Sequence, residues 1–190
     1  TSRNELRIYF ELKSIFGSVG HRVRDFGSEI DVYLPDYRLG IEYDGVRSHK
    51  DKTVKDTKQI HDLELVNIKL IRVREKPLLK LGENDVSVSK NKLLSHEDIA
   101  NLLRAIIKIS LKALSLQTIE DCKNYIKNGN FCAEDEYVDT VINRFGVPFE
   151  ESLAAKFPDI ASEWDLEKNH PYTPDMITPG VAGNASNKEF

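Results

Sequence analysis

The sequence lacks long apolar runs and has few cysteines. No run approaches the roughly 18 residues that a membrane-spanning helix needs, and no signal-peptide pattern is present, so we expect no membrane partner. Cys122 and Cys132 are not spaced as in a zinc knuckle, and so sparse a pair indicates reduced thiols in an intracellular protein. Both are expected to be buried or incidental, and a disulfide or a metal site is the alternative.

A large net charge is also lacking, because the sum over the chain is only −4. The charges are unevenly distributed: residues 45–80 contain ten Lys or Arg against five Asp or Glu, whereas residues 131–190 contain four against twelve. A local basic surface is what contacts phosphates. The residues predicted to make such contacts are Arg47, Lys50, Lys52, Lys55 and Lys58. A solvated helix face is the alternative explanation for these lysines.

The 190 residues have a balanced composition, 40% hydrophobic and 31% charged, which suits one globular domain plus an appendage. The order of the local patterns predicts an α/β fold, a mixed sheet flanked by helices and followed by a C-terminal helical extension. The predicted divisions are an α/β core over 1–80, a helical extension packed on that core over 81–148, and a segment or tail over 149–190. Because the chain starts at Thr1 without an initiator methionine, we expect a fragment of a longer protein.

The local signals also predict the individual elements. A Ser2–Glu5 capping box followed by helical spacing predicts a first helix that ends at Gly17. The elements predicted after it are a strand over 20–26, a hairpin over 29–45, a loop over 46–51, a helix over 52–66, a strand over 68–73, an irregular connection over 78–95, helices over 96–116, 118–127 and 133–144, and an extended tail over 180–190. The side chains expected to point inward from the helix over 52–66 are Val54, Ile60, Leu63 and Val66.

The hairpin carries the pattern on which the functional prediction depends. Two alternating runs flank the turn at residues 35–38, and folding them about the Asp36–Tyr37 junction separates apolar from acidic side chains. The apolar pairs are Leu34 with Leu39, Val32 with Ile41, and Ile30 with Tyr43. The acidic pairs on the other face are Asp31 with Glu42, and Glu29 with Asp44. Directly opposed carboxylates repel each other, so we expect a cation among them.

Carboxylate oxygens suit a hard divalent cation, Mg²⁺ or Mn²⁺, which takes few protein ligands because it keeps waters. Asp31 and Glu42, on adjacent strands, are the expected ligands. A metal so held polarises a phosphodiester and lowers the pKa of bound water. His49 or a lysine is the expected base. Glu5 either serves only the helix cap or points from the first turn into the site.

These residues resemble the PD-(D/E)xK nuclease superfamily in their order: Glu5, then Asp31, then Glu42-Tyr43-Asp44 on the next strand. More closely, residues 41–45 followed by His49 are similar to endonuclease-like domains related to very-short-patch-repair enzymes. Asp56 and residues 67–75 fit the same pattern, so the resemblance covers about residues 2 to 80.

The resemblance implies a restriction-endonuclease-like fold and a bacterial, cytoplasmic enzyme that acts on DNA with Mg²⁺ or Mn²⁺. It implies that Asp31 and Glu42 are metal ligands, that the Tyr43 carbonyl is a further ligand, and that His49 is the base. One position departs from the family, because Asp44 stands where its name promises a lysine. The basic role then falls to His49, Lys50 or Lys58, and Asp44 either supports a second cation or orients His49; otherwise the site is impaired.

A second resemblance lies near the C-terminus. Residues 152–165, together with Asn169 and residues 173–175, are similar to the opening of a zinc-ribbon repeat found beside such nucleases. In that family the cysteine ligands come later, and none follows here before Phe190, so no ribbon metal is assigned. An unrelated α-rich tail is the alternative.

The leading hypothesis is therefore a metal-dependent DNA endonuclease, at family level one of phage defence, mobile-element biology or repair. A nucleic-acid-binding module that kept the fold and lost catalysis is the second reading, suggested by Asp44. A third reading is an interaction domain whose acidic helical C-terminal part docks a partner protein or a second copy of the chain.

Overall fold

The computed structural model describes residues 2–49, 52–90, 92–169 and 172–179. The chain divides into two units, Thr1–Ala133 and Glu134–Phe190. No helix among the described residues has the length and apolar character needed to cross a membrane.

The first unit is built on a five-stranded mixed sheet. The strands are β1 Gly20–Val23, β2 Ile30–Leu34, β3 Leu39–Asp44, β4 Lys69–Glu75 and β5 Val86–Val88, and they lie side by side in that order. β1, β2 and β3 are antiparallel, whereas β3, β4 and β5 are parallel. The predicted α/β class with a mixed sheet flanked by helices is confirmed. β5 lies in the stretch predicted to be irregular, so that prediction was wrong at this point.

Helices cover both faces of the sheet. The helices of the first unit are α1 Arg3–Phe16, α2 Val46–His49, α3 Thr53–Leu65, α4 His96–Ser110 and α5 Leu116–Asn128. The predicted capping box of α1 is confirmed, because the Ser2 hydroxyl accepts the Glu5 N–H while the Glu5 carboxylate accepts the Ser2 N–H, each at 3.0 Å. α2 replaces the start of the predicted loop, and α4 ends six residues earlier than predicted.

One core joins the sheet to α1, α4 and α5. Its buried side chains include Leu12 of α1, Val32 and Ile41 of the sheet, Leu103 of α4 and Cys122 of α5. Residues 81–133 therefore continue the unit that begins with α1, whereas the sequence placed a boundary at residue 80. Cys122 is a free buried thiol and Cys132 a free exposed one.

The opposite face of the sheet is covered by α3. Leu63 packs there with Ile30, Tyr33 and Ile68. The predicted inward face of this helix was partly wrong, because Val54 is 85% exposed whereas Asp56 is only 3% exposed. Asp56 of this helix faces the sheet because it forms ion pairs there with Arg72 and Arg74.

The second unit contains α6 Glu134–Phe145 and the short helices α7 Leu153–Lys156 and α8 Pro158–Ser162. The Ser152 hydroxyl caps α7 by accepting the Ala155 N–H at 3.2 Å, and the Leu153 N–H donates to the Ile177 carbonyl at 2.7 Å. The predicted tail over 180–190 lies outside the described residues. The zinc-ribbon resemblance of this unit stays a prediction.

Candidate metal and nucleic-acid site

Asp31 and Glu42 meet on adjacent strands of the sheet. The predicted hairpin register is confirmed by the pairs Leu34–Leu39 and Val32–Ile41. The predicted pair of Ile30 with Tyr43 does not belong to this ladder, and side-chain contacts replace it. The Asp31 carboxylate accepts the Tyr43 N–H at 2.9 Å, and the Glu42 carboxylate accepts the Asp31 N–H at 3.2 Å.

The ladder on the other side of Asp31 is also interrupted. β1 pairs with β2 through His21–Val32 and Val23–Ile30, but the intervening pair of Arg22 with Asp31 is missing. Arg22 has a φ of 53°, in the left-handed region that residues with a side chain seldom adopt. The Asp31 N–H thus has no strand partner and turns to Glu42 instead. The regular strand pairing is therefore interrupted at Asp31 on both sides, toward β1 and toward β3.

The two carboxylates are held in a setting that disfavours their negative charge. Burial is the main cause that raises the pKa of Asp31 to about 6, and the charges of Glu5, Asp44 and Glu29 add to it. Burial, followed by the charge of Asp31, raises the pKa of Glu42 to about 8. In the described part of the chain, no lysine or arginine forms an ion pair with Asp31 or Glu42. The charge of Arg72 lowers the pKa of Glu42, but it does not offset the burial of the pair.

This donor set fits a divalent cation. Asp31 and Glu42 each use one carboxylate oxygen in the hydrogen bonds above, which leaves the second oxygen of each for a ligand. The backbone N–H and carbonyl of a strand residue point to the same side. The Tyr43 carbonyl therefore lies on the Asp31 side of β3, together with its N–H. Two carboxylates and one carbonyl are oxygen ligands of the kind that Mg²⁺ accepts.

Glu5 serves the helix cap and also borders the site. Its second oxygen lies 2.8 Å from Nε2 of His21. Burial raises the pKa of Glu5, but hydrogen bonds from His21 and Ser2 outweigh it, so the pKa is lowered and the side chain is ionised at neutral pH. The charge of Glu5 contributes to the raised pKa of Asp31, which places Glu5 close to that carboxylate.

Asp44, which stands where the predicted resemblance would place a lysine, is part of a different cluster. It is completely buried, and Arg72 Nη1 donates to both its oxygens, at 2.7 and 2.9 Å. Arg74 Nε lies 3.3 Å from the same carboxylate. Asp56 of α3 is paired with the same two arginines, at 3.8 Å from Arg72 and 3.3 Å from Arg74. The predicted pairing of Asp44 with Glu29 is not formed.

His49 lies against this cluster. Its Nδ1 is 3.3 Å from Asp44 Oδ1 and 3.1 Å from Asp56 Oδ2. Because carboxylates only accept hydrogen bonds, Nδ1 is assigned the proton, and Nε2 is then the nitrogen that can accept one. Of the two roles predicted for Asp44, the geometry supports the orientation of His49.

The same three residues could be mistaken for a metal site. Ligand atoms of Asp44, His49 and Asp56 lie within 4.8 Å of one another. However, Arg72 and Arg74 already balance both carboxylates, and a divalent cation there would lie beside two buried guanidinium groups. The repulsion between such charges is strong in a poorly solvated interior. This charge balance favours a role of the cluster in holding His49, and Asp31 and Glu42 stay the predicted ligands of a cation.

Gln59 of α3 connects the two sets of residues. Its amide nitrogen donates to Glu42 Oε1 at 3.3 Å and to the Glu29 carbonyl at 3.0 Å. Its amide oxygen accepts a hydrogen bond from Arg72. Gln59 therefore fixes the position of Glu42 relative to the arginine cluster.

The predicted nucleic-acid contacts lie on α2 and α3 or next to them. Arg47, Lys52, Lys55 and Lys58 are all exposed, and Lys58 also forms a surface ion pair with Asp62 at 3.5 Å. Lys55 precedes Gln59 by four residues and so lies one helical turn from the site. Lys50 lies outside the described residues.

Arg72, Arg74 and Gln59 are site residues that the sequence pattern did not single out. A usable signal is present for the arginines. They alternate with Ile71 and Val73 in a strand, so both guanidinium groups lie on the same face of that strand, next to Leu70. A strand in the middle of a sheet would bury them, and buried charges need partners of opposite sign. Gln59 has no comparable signal.

Comparison of the chain with models of protein families, with curated proteins and with solved structures finds no match. The resemblance to PD-(D/E)xK nucleases therefore stays a prediction, as does the restriction-endonuclease-like fold. The functional proposal below depends on the geometry of the site.

The buried pair of Asp44 and Arg72 generates a stability prediction. We expect Asp44→Asn to lower the free energy of unfolding by about 3 kcal/mol, because it leaves a buried guanidinium undercompensated. The matched control is Asp62→Asn, in the exposed pair with Lys58, with an expected change below about 1 kcal/mol. Urea denaturation at pH 7 measures both. Equal losses in the two variants would contradict the structural role of Asp44.

The raised pKa of Glu42 generates a pH-dependent prediction. The folded state holds this proton more tightly than the unfolded state, whose pKa is near 4.5, so the associated stability is lost as the pH rises toward about 8. Glu42→Gln removes the charge, so we expect it to unfold at a higher temperature than the wild type at pH 8.5. The expected gain is on the order of 1 to 3 kcal/mol, or about 2 to 4 °C for each kcal/mol.

The gain should shrink toward zero at pH 5, where Glu42 carries its proton in the wild type. Mn²⁺ should raise the melting temperature of the wild type at pH 8.5 and leave that of Glu42→Gln unchanged. Glu97→Gln on the exposed side of α4 is the control and should show neither effect. A gain that does not depend on pH would contradict the unfavourable charge on Glu42.

Proposed function

We propose that the chain is a metal-dependent endonuclease that hydrolyses phosphodiester bonds of DNA. The observation that carries this proposal is the meeting of Asp31 and Glu42 on adjacent strands, with raised pKa values and with no cationic partner among the described residues. Raised pKa values of this kind cluster at functional sites.

The residues that would hold the metal are Asp31 and Glu42, with the Tyr43 carbonyl as a further ligand and Glu5 close by. When bound, Mg²⁺ or Mn²⁺ supplies polarisation of the phosphodiester and a lowered pKa of water. The protein residues contribute position: the Tyr43 N–H holds the Asp31 carboxylate, and Gln59 holds that of Glu42.

His49 is the residue best placed to move a proton. Asp44 and Asp56 hold its ring through Nδ1, which leaves Nε2 to accept a proton from the attacking water. The same carboxylates stabilise the imidazolium that then forms. The charge of Asp44 also raises the pKa of Asp31, so His49 and the carboxylate pair share one neighbourhood at the end of β3.

A polyanionic substrate is supported by the charges around this neighbourhood. Arg47, Lys52 and Lys55 are exposed at the start of α3 and on α2, within the segment that carries ten Lys or Arg against five Asp or Glu. Such a surface attracts the phosphate backbone even though the net charge of the chain is negative. DNA is the substrate that the family resemblance implies.

A DNA-binding module without catalysis is the second candidate. The observation that favours it is the conversion of the lysine position into Asp44, whose charge is used entirely within the protein by Arg72 and Arg74. This candidate requires DNA binding that is independent of metal, with no cleavage by the purified protein.

Cleavage of a supercoiled plasmid tests the proposal. We expect nicked or linear product with Mg²⁺ or Mn²⁺ and none with EDTA. Asp31→Asn should abolish cleavage because it removes a metal ligand, and His49→Ala should slow it by about 100-fold or more. Asp36→Asn, in the exposed turn of the same hairpin, is the control with unchanged activity.

The pattern of outcomes separates the two candidates. Metal-dependent cleavage that is lost in Asp31→Asn supports the endonuclease. Binding to a labelled duplex without cleavage under either metal supports the binding module. Activity in Asp31→Asn equal to that of the wild type would show that the nuclease activity does not arise from this site.

A further inference from the structure

A second oxyanion-binding arrangement stands beside the carboxylate pair. Arg22 and Arg24 both grip the side chain of Glu29, one on each oxygen. Arg22 Nε and Nη2 lie 2.8 and 2.6 Å from Oε1, and Arg24 Nε and Nη2 lie 2.7 and 2.6 Å from Oε2. We call Arg22 and Arg24 the arginine clamp, and Glu29 is the anion that it binds. Two guanidinium groups thus contact one carboxylate.

The clamp is attached to the proposed active site. Glu29 precedes Asp31 by two residues, and its carbonyl accepts the hydrogen bond from Gln59 that also positions Glu42. Hydrogen bonds that Arg22 donates to Glu29 are the main cause that raises the pKa of Arg22, and the charges of Glu5 and Asp31 contribute to the same rise. The Arg22 guanidinium therefore lies within electrostatic reach of the carboxylates that would hold the metal.

The backbone at Arg22 is arranged for this position. Its left-handed conformation, with φ of 53°, interrupts the pairing of β1 with β2 opposite Asp31. Strained residues of this kind are concentrated at functional sites. The left-handed backbone at Arg22 thus both interrupts the strand pairing at Asp31 and determines the direction of the Arg22 side chain.

The partner now in the clamp is exchangeable. The side chains of Arg22 and Arg24 are 41% and 74% exposed, and that of Glu29 is 27% exposed. Exposed ion pairs contribute little to stability because water and salt screen them. The arginine fork matches a phosphate as well as it matches a carboxylate. A phosphate that approaches the site can therefore compete with the Glu29 carboxylate for these donors.

We propose that Arg22 and Arg24 bind a backbone phosphate of the DNA substrate next to the scissile bond, and that Glu29 occupies the clamp as a phosphate mimic until DNA displaces it. This inference rests on the proposed function. It adds contacts from the β1 side of the site to those predicted on α2 and α3, so that cations flank the carboxylate pair on two sides.

The test is binding of the full chain to a fluorescein-labelled DNA duplex, measured by anisotropy between 0.05 and 0.2 M NaCl with Ca²⁺ in place of Mg²⁺. We expect Arg22→Gln with Arg24→Gln to lower the affinity about tenfold and to reduce the salt dependence, log K against log [NaCl], by about 0.9 for each lost contact. Glu29→Gln should raise the affinity severalfold, because the mimic is weakened. Arg22→Lys should keep the salt dependence of binding and lose part of the affinity. Lysine keeps the positive charge but lacks the two parallel N–H donors of the guanidinium group.

The matched control is Arg104→Gln on α4, which lies across the sheet from the site. This change breaks an exposed ion pair in which Arg104 Nη1 lies 2.7 Å from Glu97 Oε1. It should change neither the affinity nor the slope, and thermal melting of every variant reports that each is folded. Unchanged affinity in the double arginine variant would contradict the proposal that Arg22 and Arg24 bind a DNA phosphate. A loss of affinity in Glu29→Gln as large as in the double variant would contradict it as well. If the wild type cleaves DNA with metal and the arginine variants bind DNA as the wild type does, only the phosphate-binding role of Arg22 and Arg24 is wrong. If the wild type neither binds nor cleaves DNA, the proposed function is wrong as well.

Discussion

The buried pairing of Asp44 with Arg72 is the interaction on which the site depends. It joins β3 to β4 beneath α3, and neither side chain is exposed to solvent. Arg74 and Asp56 complete a balanced set of two negative and two positive charges. Each of these side chains would be unfavourable to bury without a partner of opposite charge. α3 consequently docks through Asp56 and Gln59 rather than through apolar side chains alone, and His49 is held at its edge.

The acidic residues of the hairpin fall into three classes according to what neutralises them. Asp44 is balanced by buried arginines and acts inside the protein. Glu29 is balanced by exposed arginines that water and other anions can reach. Asp31 and Glu42 form no ion pair in the described ranges, and their burial keeps their negative charge unfavourable. This distribution supports the proposed site for metal and phosphate, because among these four carboxylates the pair of Asp31 and Glu42 lacks an ion pair and Glu29 is bound by arginines that solvent can reach.

Much of this arrangement could be predicted because alternation along a strand fixes both faces at once. The meeting of Asp31 with Glu42 followed from the apolar pairs Val32–Ile41 and Leu34–Leu39, which burial enforces. The fates of Glu29 and Asp44 could not be predicted in the same way. They depend on a left-handed residue at Arg22 and on arginines from a strand distant in sequence, and neither is encoded in the hairpin itself. The inward turn of Asp56 likewise depends on a charged partner that periodicity does not register.

The central claim is that the cation belongs to Asp31 and Glu42 rather than to the cluster of Asp44, His49 and Asp56. Anomalous diffraction from crystals soaked in Mn²⁺ tests it most directly, because the scattering locates the ion without reference to activity. The account predicts one strong peak at about 2.0 to 2.2 Å from a carboxylate oxygen of each of Asp31 and Glu42. A peak between His49 and Asp56, or no peak while the crystal still diffracts well, would contradict it.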